Sequence, residues 1–457
     1  MGNCRSQTNN SSLHPDIHKD HGENVNHNFN GSMGSSTHCR RGSETTSSLI
    51  SHETHHSDPY KPLQALRFSS GKQASYKKFV FLILGTGESG KTTIMKQMRY
   101  LHGKPLSEDE KAFYAVHVRS NIFVAMCQLC NLIDVSDLAK DELEAYEEFI
   151  EVYEELRSQV KQKSITGISD NYESSDAEKI EFVSKVTHPE VPRRVNANAV
   201  FFMQRWKILN MLWKSSAVQH AWTYDRSKMN VIDSHFSFLN RMEEIAQPEY
   251  VITTQDFLLA RIITTSPRKE CYCMEKEKCQ FEFIDVGGQR AHRRTWEKYL
   301  HRGKASEVDA ILFVAALSDY DQSLSETKNE KDNRMIESLA LFKSILEYEG
   351  FVDKRIPIML FLNKKDVFRK KMITSPIYCQ SQFKDYRGKD FDDGVNYFMS
   401  KFRHEASTLG HKRDIYVQTT TATDTEYMRV VMDSVQKMVL DHNMRVNLGW
   451  SISLDES

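Results

Sequence analysis

Short apolar runs punctuate this chain, and each is the length of a strand. Phe79-Val80-Phe81-Leu82-Ile83-Leu84 stands between Lys78 and Gly85 with no polar alternation. Such a run predicts a strand buried on both faces, as in a parallel sheet. Comparable patterns predict strands at Gln280–Ile284, Ala310–Ala316, Ile356–Asn363 and Ile415–Thr419, with helices between them. Residues 107–250 carry helical spacing almost throughout. Ser107 and Glu110 predict a capping box opening a long helix toward Ile133. Glu142–Val160 predicts an acidic amphipathic helix, Gln162–Ser175 a loop, and Phe201–Trp213 and Asp233–Ile245 further helices. The expectation is an α/β fold interrupted near its start by an all-helical insertion of about 150 residues.

Residues 1–76 follow neither period. They are rich in Ser, Thr, Asn, His and Gly, and they help hold the hydrophobic share of the chain at 39%. Such a composition cannot bury enough apolar surface to offset its ordering entropy, so this stretch is expected to be disordered. Its histidines, His52, His55 and His56 among them, read as solvated filler and not as metal ligands. A net charge of −1 over 457 residues excludes a chain-wide basic footprint for nucleic acid. No apolar run approaches the roughly 20 residues of a membrane span, and residues 1–30 lack the apolar core of a secretory signal. Eight cysteines in so long a chain fit a reducing compartment. Cys127 and Cys130 read as core of an apolar helix. Cys271, Cys273 and Cys279 lack a histidine pair at metal-site spacing and read as hairpin residues.

The chemistry begins where the first strand ends. Gly85-Thr86-Gly87-Glu88-Ser89-Gly90-Lys91-Thr92 matches G-x-x-x-x-G-K-[ST] at every fixed position. Glycines there let backbone N–H groups curl around phosphate oxygens, and the following helix adds its positive end. Lys91 is expected to reach the β- and γ-phosphates and the Thr92 hydroxyl to ligate Mg²⁺. Asn363-Lys364-Lys365-Asp366 closes the strand Ile356–Leu362. A carboxylate at Asp366 accepts from N1–H and the 2-amino group of guanine. Adenine offers neither donor, so the quartet selects GTP over ATP. Asp285-Val286-Gly287-Gly288-Gln289 follows the strand Gln280–Ile284. There Asp285 can hold Mg²⁺ through water, Gly288 can approach the γ-phosphate, and Gln289 can orient an attacking water.

With these motifs in hand, the chain resembles the α subunits of heterotrimeric G proteins over roughly residues 77–450. Asp319-Tyr320-Asp321-Gln322, Asn333-Arg334-Met335, Glu337-Ser338-Leu339 and Thr420–Thr425 are similar to that family's segments in order and spacing, as are Asp233-Ser234 and Phe238-Leu239-Asn240. The resemblance implies a P-loop GTPase (Ras-like) α/β domain with a mostly parallel six-stranded sheet, plus an inserted all-helical domain. The implied division is a lipidated tail over 1–76, the GTPase domain over 77–106 and 255–457, and the helical domain over 107–254. It makes Arg261 a built-in arginine finger and Thr264 a second hydroxyl on Mg²⁺ beside Thr92. Glu88 becomes the finger's partner in the inactive state, and Ala422 the backbone N–H that reads guanine O6. Asp233 and Ser234 would help close the helical lid. Nucleotide contacts extend by the same likeness to Thr93 and along Leu258, Leu259, Ala260, Ile262 and Ile263. The implied partners are βγ subunits, a membrane receptor, effectors and GTPase-accelerating proteins, with no nucleic acid.

Met1-Gly2-Asn3-Cys4-Arg5-Ser6 fits the myristoylation pattern at Gly2, with Cys4 open to palmitate. Two acyl chains give stable anchoring where one does not, so the expected place is the cytoplasmic face of the plasma membrane. Several positions depart from the family pattern. Pro62 and Ser69-Ser70-Gly71 interrupt the region where a βγ-docking helix is usual. Leu259 stands for an arginine, Ser266 for a glycine, Thr421 for a cysteine, and Asn447 for the toxin-modifiable cysteine, while Ser451–Ser457 extend the tail. Trp296 is expected in a mobile switch helix. Alternatives to a GTP-driven switch are a P-loop kinase or ATPase, and a GTP-binding scaffold with little or no hydrolysis.

Overall fold

The computed structural model describes residues 76–103, 105–163, 188–229, 231–274, 279–300, 307–324, 332–348, 356–408 and 415–448. Gly2, Cys4, the remainder of the polar tail, the segment around Pro62 and the C-terminal Ser451–Ser457 lie outside them. So does most of the loop expected over Gln162–Ser175.

Strand β1 (Lys77–Leu84) explains its own unbroken apolar sequence. Successive side chains of a strand point to opposite faces. Phe79, Phe81 and Ile83 accordingly enter one core, and Val80, Leu82 and Leu84 enter another. The other strands are β2 (Arg268–Met274), β3 (Cys279–Asp285), β4 (Ala310–Ala316), β5 (Ile358–Asn363) and β6 (Ile415–Thr419). They form one six-stranded sheet in the order β2-β3-β1-β4-β5-β6, with β2 antiparallel to β3 and every other pair parallel. Register places Ile83 opposite Asp285, and Ala316 opposite Asn363. The motif-bearing strand ends therefore form one rim of the sheet, where open α/β sheets bind ligands.

The longer helices are α1 (Lys91–His102), α2 (Glu108–Cys130), α3 (Lys140–Lys163), α4 (Arg193–Lys214), α5 (Thr254–Leu259), α6 (Arg334–Leu346), α7 (Lys365–Thr374), α8 (Phe391–Ser407) and α9 (Thr425–Leu448). Ile94 and Met98 of α1 with Met428 and Met432 of α9 cover the Phe79–Phe81 face. Met335 and Phe342 of α6 with Phe398 and Phe402 of α8 cover the other. Phe342 is fully buried, its ring 5.0 Å from Phe313 and 5.4 Å from Phe402, so truncating it to alanine would cost about 3–5 kcal/mol. Between α1 and β2 the helices build a separate core around Ile122, Met126, Phe202, Leu209 and Phe238. The capping box of α2 is formed on both sides: Glu110 N–H donates to Ser107 Oγ (3.2 Å) and Ser107 N–H donates to Glu110 Oε2 (2.9 Å).

Three expectations need correction. Helix α3 runs through Gln162 to Lys163, so the loop does not begin at Gln162. The helix expected over Asp233–Ile245 is broken into turns at Asp233–His235, Phe236–Leu239 and Met242–Ile245. The break falls where Asn240 Nδ2 donates back to Phe236 O (3.0 Å) and Arg241 turns aside to Asp256 (2.6 Å). Strand β5 begins at Ile358 and not Ile356, because Pro357 has no N–H to offer the ladder. Strand β2 is a full partner of the sheet and carries the exposed Cys271 and Cys273, while Cys279 is buried. Among the described residues, no helix is long and apolar enough to cross a membrane.

Candidate functional site: a phosphate loop facing a guanidinium

The turn from β1 into α1 is shaped by residues that tolerate positive φ. Gly85 has φ 140°, and a Cβ there would lie 2.2 Å from Val314 O; Gly90 has φ 106° and would meet Asn363 Nδ2 at 2.1 Å. Glu88 adopts the left-handed conformation without being glycine, at φ 62°, a strain of roughly 1–2 kcal/mol that its ion pairs hold in place. No side chain caps α1, so the first-turn N–H groups face the loop's concavity as an anion site. Lys91 is buried and folds back on the loop, donating to Thr86 O (2.6 Å) and Gly85 O (3.1 Å). Burial lowers its ammonium to about 8, with Asp285 opposing.

A cavity of about 750 Å³ opens beside this loop, lined by Gly87, Lys91, Arg261, Gln289, Asn363 and Asp366 among others. Every predicted nucleotide contact lines it except Gly85, Thr86, Ser89, Asp285, Val286, Gly287 and Lys365. The first six of these form its frame or stand behind it. Lys365 points elsewhere, its Nζ 3.8 Å from the ring centroid of Tyr427.

At the floor, Thr92 Oγ1 lies 3.0 Å from Thr264 Oγ1 and donates to Asp285 Oδ2 (2.7 Å). Asp285 Oδ1 is buried with no hydrogen-bond partner among the described residues. Burial raises this carboxyl above the usual range, against the pull of Lys91 and the Thr92 bond. Two hydroxyls and a carboxylate with a spare lone pair are hard oxygen donors, the set that suits a Mg²⁺ keeping several waters. These residues fit that ion.

Over the loop, Arg261 Nη2 donates to Glu88 Oε1 (2.5 Å), while Arg334 Nη1 donates to Glu88 Oε2 (2.9 Å). Burial alone would raise Glu88, but Arg334 and Arg261 hold its carboxyl at about 2. Arg334 is fixed in turn by Gly87 O (2.6 Å) and Asp319 (3.4 Å). Gln289 lines the cavity opposite, its Cγ packed on Gly87. Trp296 is buried here, its Nε1 donating to Gly287 O (2.8 Å), so in this conformation it belongs to the core beneath the Gly287–Gln289 turn.

At the far end, Asn363 acts as a brace. Its Nδ2 donates to Ser89 O (2.9 Å), and its Oδ1 accepts from Thr420 Oγ1 (3.1 Å) and Ala422 N–H (3.0 Å). The Ala422 amide expected to read a base is therefore engaged by Asn363 in this structure. Asp366 is exposed and, among the described residues, accepts the longer bond from Thr421 Oγ1 (3.3 Å). From the helical segment, Asp233 accepts from Arg226 Nε (3.1 Å) and lies 3.9 Å from Lys371 Nζ on α7. Lys371 also donates to Asp321 (2.8 Å), so an ion chain joins the helical segment to the sheet domain.

Comparison with known proteins agrees with this geometry. The family model for the G-protein alpha subunit matches residues 59–439. The chain belongs to the G-protein alpha subunit family. It is 30% identical over 377 residues to the guanine nucleotide-binding protein alpha-9 subunit of Dictyostelium discoideum, covering 82% of this chain and 93% of that protein. It is 32% identical over 372 residues to the alpha-16 subunit of Caenorhabditis briggsae, covering 81% and 90%.

Several side chains around the site carry little local sequence signal. Arg334 stood inside a matched segment, yet nothing local marked it as the second cation on Glu88. Asn121 and Lys96 lie in ordinary helix and reach the Arg261 segment only through the tertiary fold. A charged residue on the buried face of an amphipathic helix, as Lys96 is on α1, was the one available signal.

Proposed function

We propose that this chain is a guanine-nucleotide switch that binds GDP or GTP with Mg²⁺, hydrolyses GTP and couples a membrane receptor to effectors. The observation that carries the reading is the Arg261–Glu88 pair. A guanidinium is parked on the phosphate loop itself, within one cavity that is also lined by Gln289, Asn363, Lys364 and Asp366.

The residues divide the work by position. The α1 N-terminus and Lys91 bind the phosphate oxygens. Thr92 and Thr264, with Asp285 through water, would hold Mg²⁺. Held there, Mg²⁺ would supply positive charge to neutralise what develops on the phosphate oxygens. Gln289 orients a water toward the γ-phosphorus, and attack there breaks the bond to the β-bridging oxygen, leaving GDP and phosphate. Arg261 must leave Glu88 to meet the charge on the γ-phosphoryl oxygens, and Arg334 keeps Glu88 neutralised while it is away. Asp366, exposed at the cavity mouth, reads the guanine.

By the family relationship, the partners are βγ subunits, a receptor, effectors and GTPase-accelerating proteins. Acyl chains on Gly2 and Cys4 would anchor the tail at the cytoplasmic face of the plasma membrane. The test is competition of unlabelled GDP, GTP and ATP against a fluorescent GDP on the full chain with Mg²⁺. The reading expects GDP and GTP to displace the probe at concentrations at least about a hundredfold below ATP. Equal competition by ATP would overturn it.

A further inference from the structure

Residues 260–267 have no regular secondary structure. Arg261 therefore has no strand or helix ladder to pair its main-chain groups, and in its half-buried setting side chains pair them. One carboxamide does both. Arg261 N–H donates to Asn121 Oδ1 (2.8 Å), and Asn121 Nδ2 donates to Arg261 O (3.2 Å). Asn121 sits on α2, in the helical insertion, and is 9% exposed. Its neighbour Ser120 accepts from Asn198 Nδ2 on α4 (3.1 Å), so α2 is itself anchored at this level. From the other side, Lys96 on α1 donates to Ala260 O (2.6 Å) and Phe257 O (2.7 Å), its Nζ 5.2 Å from the ring centroids of both Tyr114 and Phe257. The carbonyl immediately before Arg261 is thus tied to the sheet domain, and both main-chain groups of Arg261 are tied to the insertion.

We propose that Asn121, with Lys96 as its counterpart, is a positioning residue that sets the reach of the Arg261 guanidinium and makes the hydrolysis rate a property of the helical insertion. The inference rests on the proposed role of Arg261 and adds the residue that aims it. Two hydrogen bonds on one residue fix the orientation of its main chain and so the direction of its Cα–Cβ bond. An arginine side chain about 6 Å long turns a tilt of about 10° into about 1 Å at the guanidinium, and a misplacement of that size can cost about a hundredfold in rate. Only a carboxamide of this length supplies the acceptor and the donor together. An aspartate would keep the acceptor and set a carboxylate oxygen against the Arg261 carbonyl.

The experiment is single-turnover hydrolysis of preloaded GTP by the full chain. It uses wild type, Asn121→Ala, Asn121→Asp, Arg261→Cys and the double variant Asn121→Ala/Arg261→Cys, with Kd for GDP measured on each. The near-isosteric Asn121→Asp guards against a folding defect in the alanine variant. Expected is a fall of about 10- to 100-fold for both Asn121 variants, with Kd for GDP changed less than about threefold. The double variant should be no slower than Arg261→Cys, because Asn121 acts through Arg261. Wild-type rates in the Asn121 variants, or a double variant slower than Arg261→Cys by the full Asn121 factor, would overturn the clamp alone. Equal rates in wild type and Arg261→Cys would overturn the underlying reading, and the clamp with it.

Discussion

Replacing Glu88 by glutamine removes one negative charge from the junction of Arg261 and Arg334 while keeping the side chain's length. The carboxyl is held at about 2 against an ordinary 4.5. At 1.36 kcal/mol per unit, that difference is about 3 kcal/mol in favour of the charged form. The folded pKa lies below the unfolded one. The contribution is therefore whole above pH 4.5 and is lost as the pH falls from there toward 2. Glu88→Gln should then be less stable than wild type by about 3 kcal/mol at pH 7, with the gap closing to about 2 kcal/mol at pH 3.5. Urea midpoints of both proteins, taken at several pH values in that window with the same excess of GDP, measure the gap. A gap that is absent at pH 7, or that stays constant down to pH 3.5, would refute the ion-pair account of Glu88.

Three further outcomes follow from the site. Asp366→Asn should weaken GTP and favour xanthine nucleotides, since an amide can donate to the xanthine 2-oxo group; unaltered GTP and XTP affinities would remove Asp366 from base reading. A Cβ at Gly288 would lie 2.2 Å from Lys91 Nζ and 2.6 Å from Gly85 O and Thr86 O. Gly288→Ala should thus keep GDP but lose the change in Trp296 fluorescence on exchange to GTP, and a wild-type response would refute the close approach. Gly2→Ala should shift the protein into the soluble fraction of a cell lysate, because one remaining weak signal does not hold a protein at a membrane; unchanged partitioning would sink the anchoring proposal.

The sheet and the motif positions were legible because each rests on local chemistry. The unbroken run of β1 announced a strand buried on both faces, and the glycine spacing after it announced the loop. Strand β2 was less visible, since Arg268–Met274 mixes charged and apolar residues at the sheet's edge, where one side need not be buried. The split of Asp233–Ile245 was hidden because the break depends on Arg241 finding Asp256 in a later helix. The same limit applies to the site. Glu88 and Arg261 were identified through the family likeness, whereas Asn121 and Lys96 act on carbonyls and amides 140 and 164 residues away. Main-chain acceptors carry no sequence signature. Asn363 shows the converse case: its place in the quartet was plain, but its bonds to Ser89 O and Ala422 N–H make it a brace between loops.

The central claim is that Arg261 and Gln289 time this switch. Its most direct test is the rate at which the full chain hydrolyses preloaded GTP in a single turnover with Mg²⁺, beside Arg261→Cys and Gln289→Leu. For a cis arginine in this class of enzyme the factor is about 10³–10⁵, a value taken from the class and not from this geometry. It corresponds to about 4–7 kcal/mol of barrier. The account predicts that both variants bind GTP and barely hydrolyse it while wild type turns over. A wild type no faster than either variant would contradict the timer and leave a GTP-binding scaffold in its place.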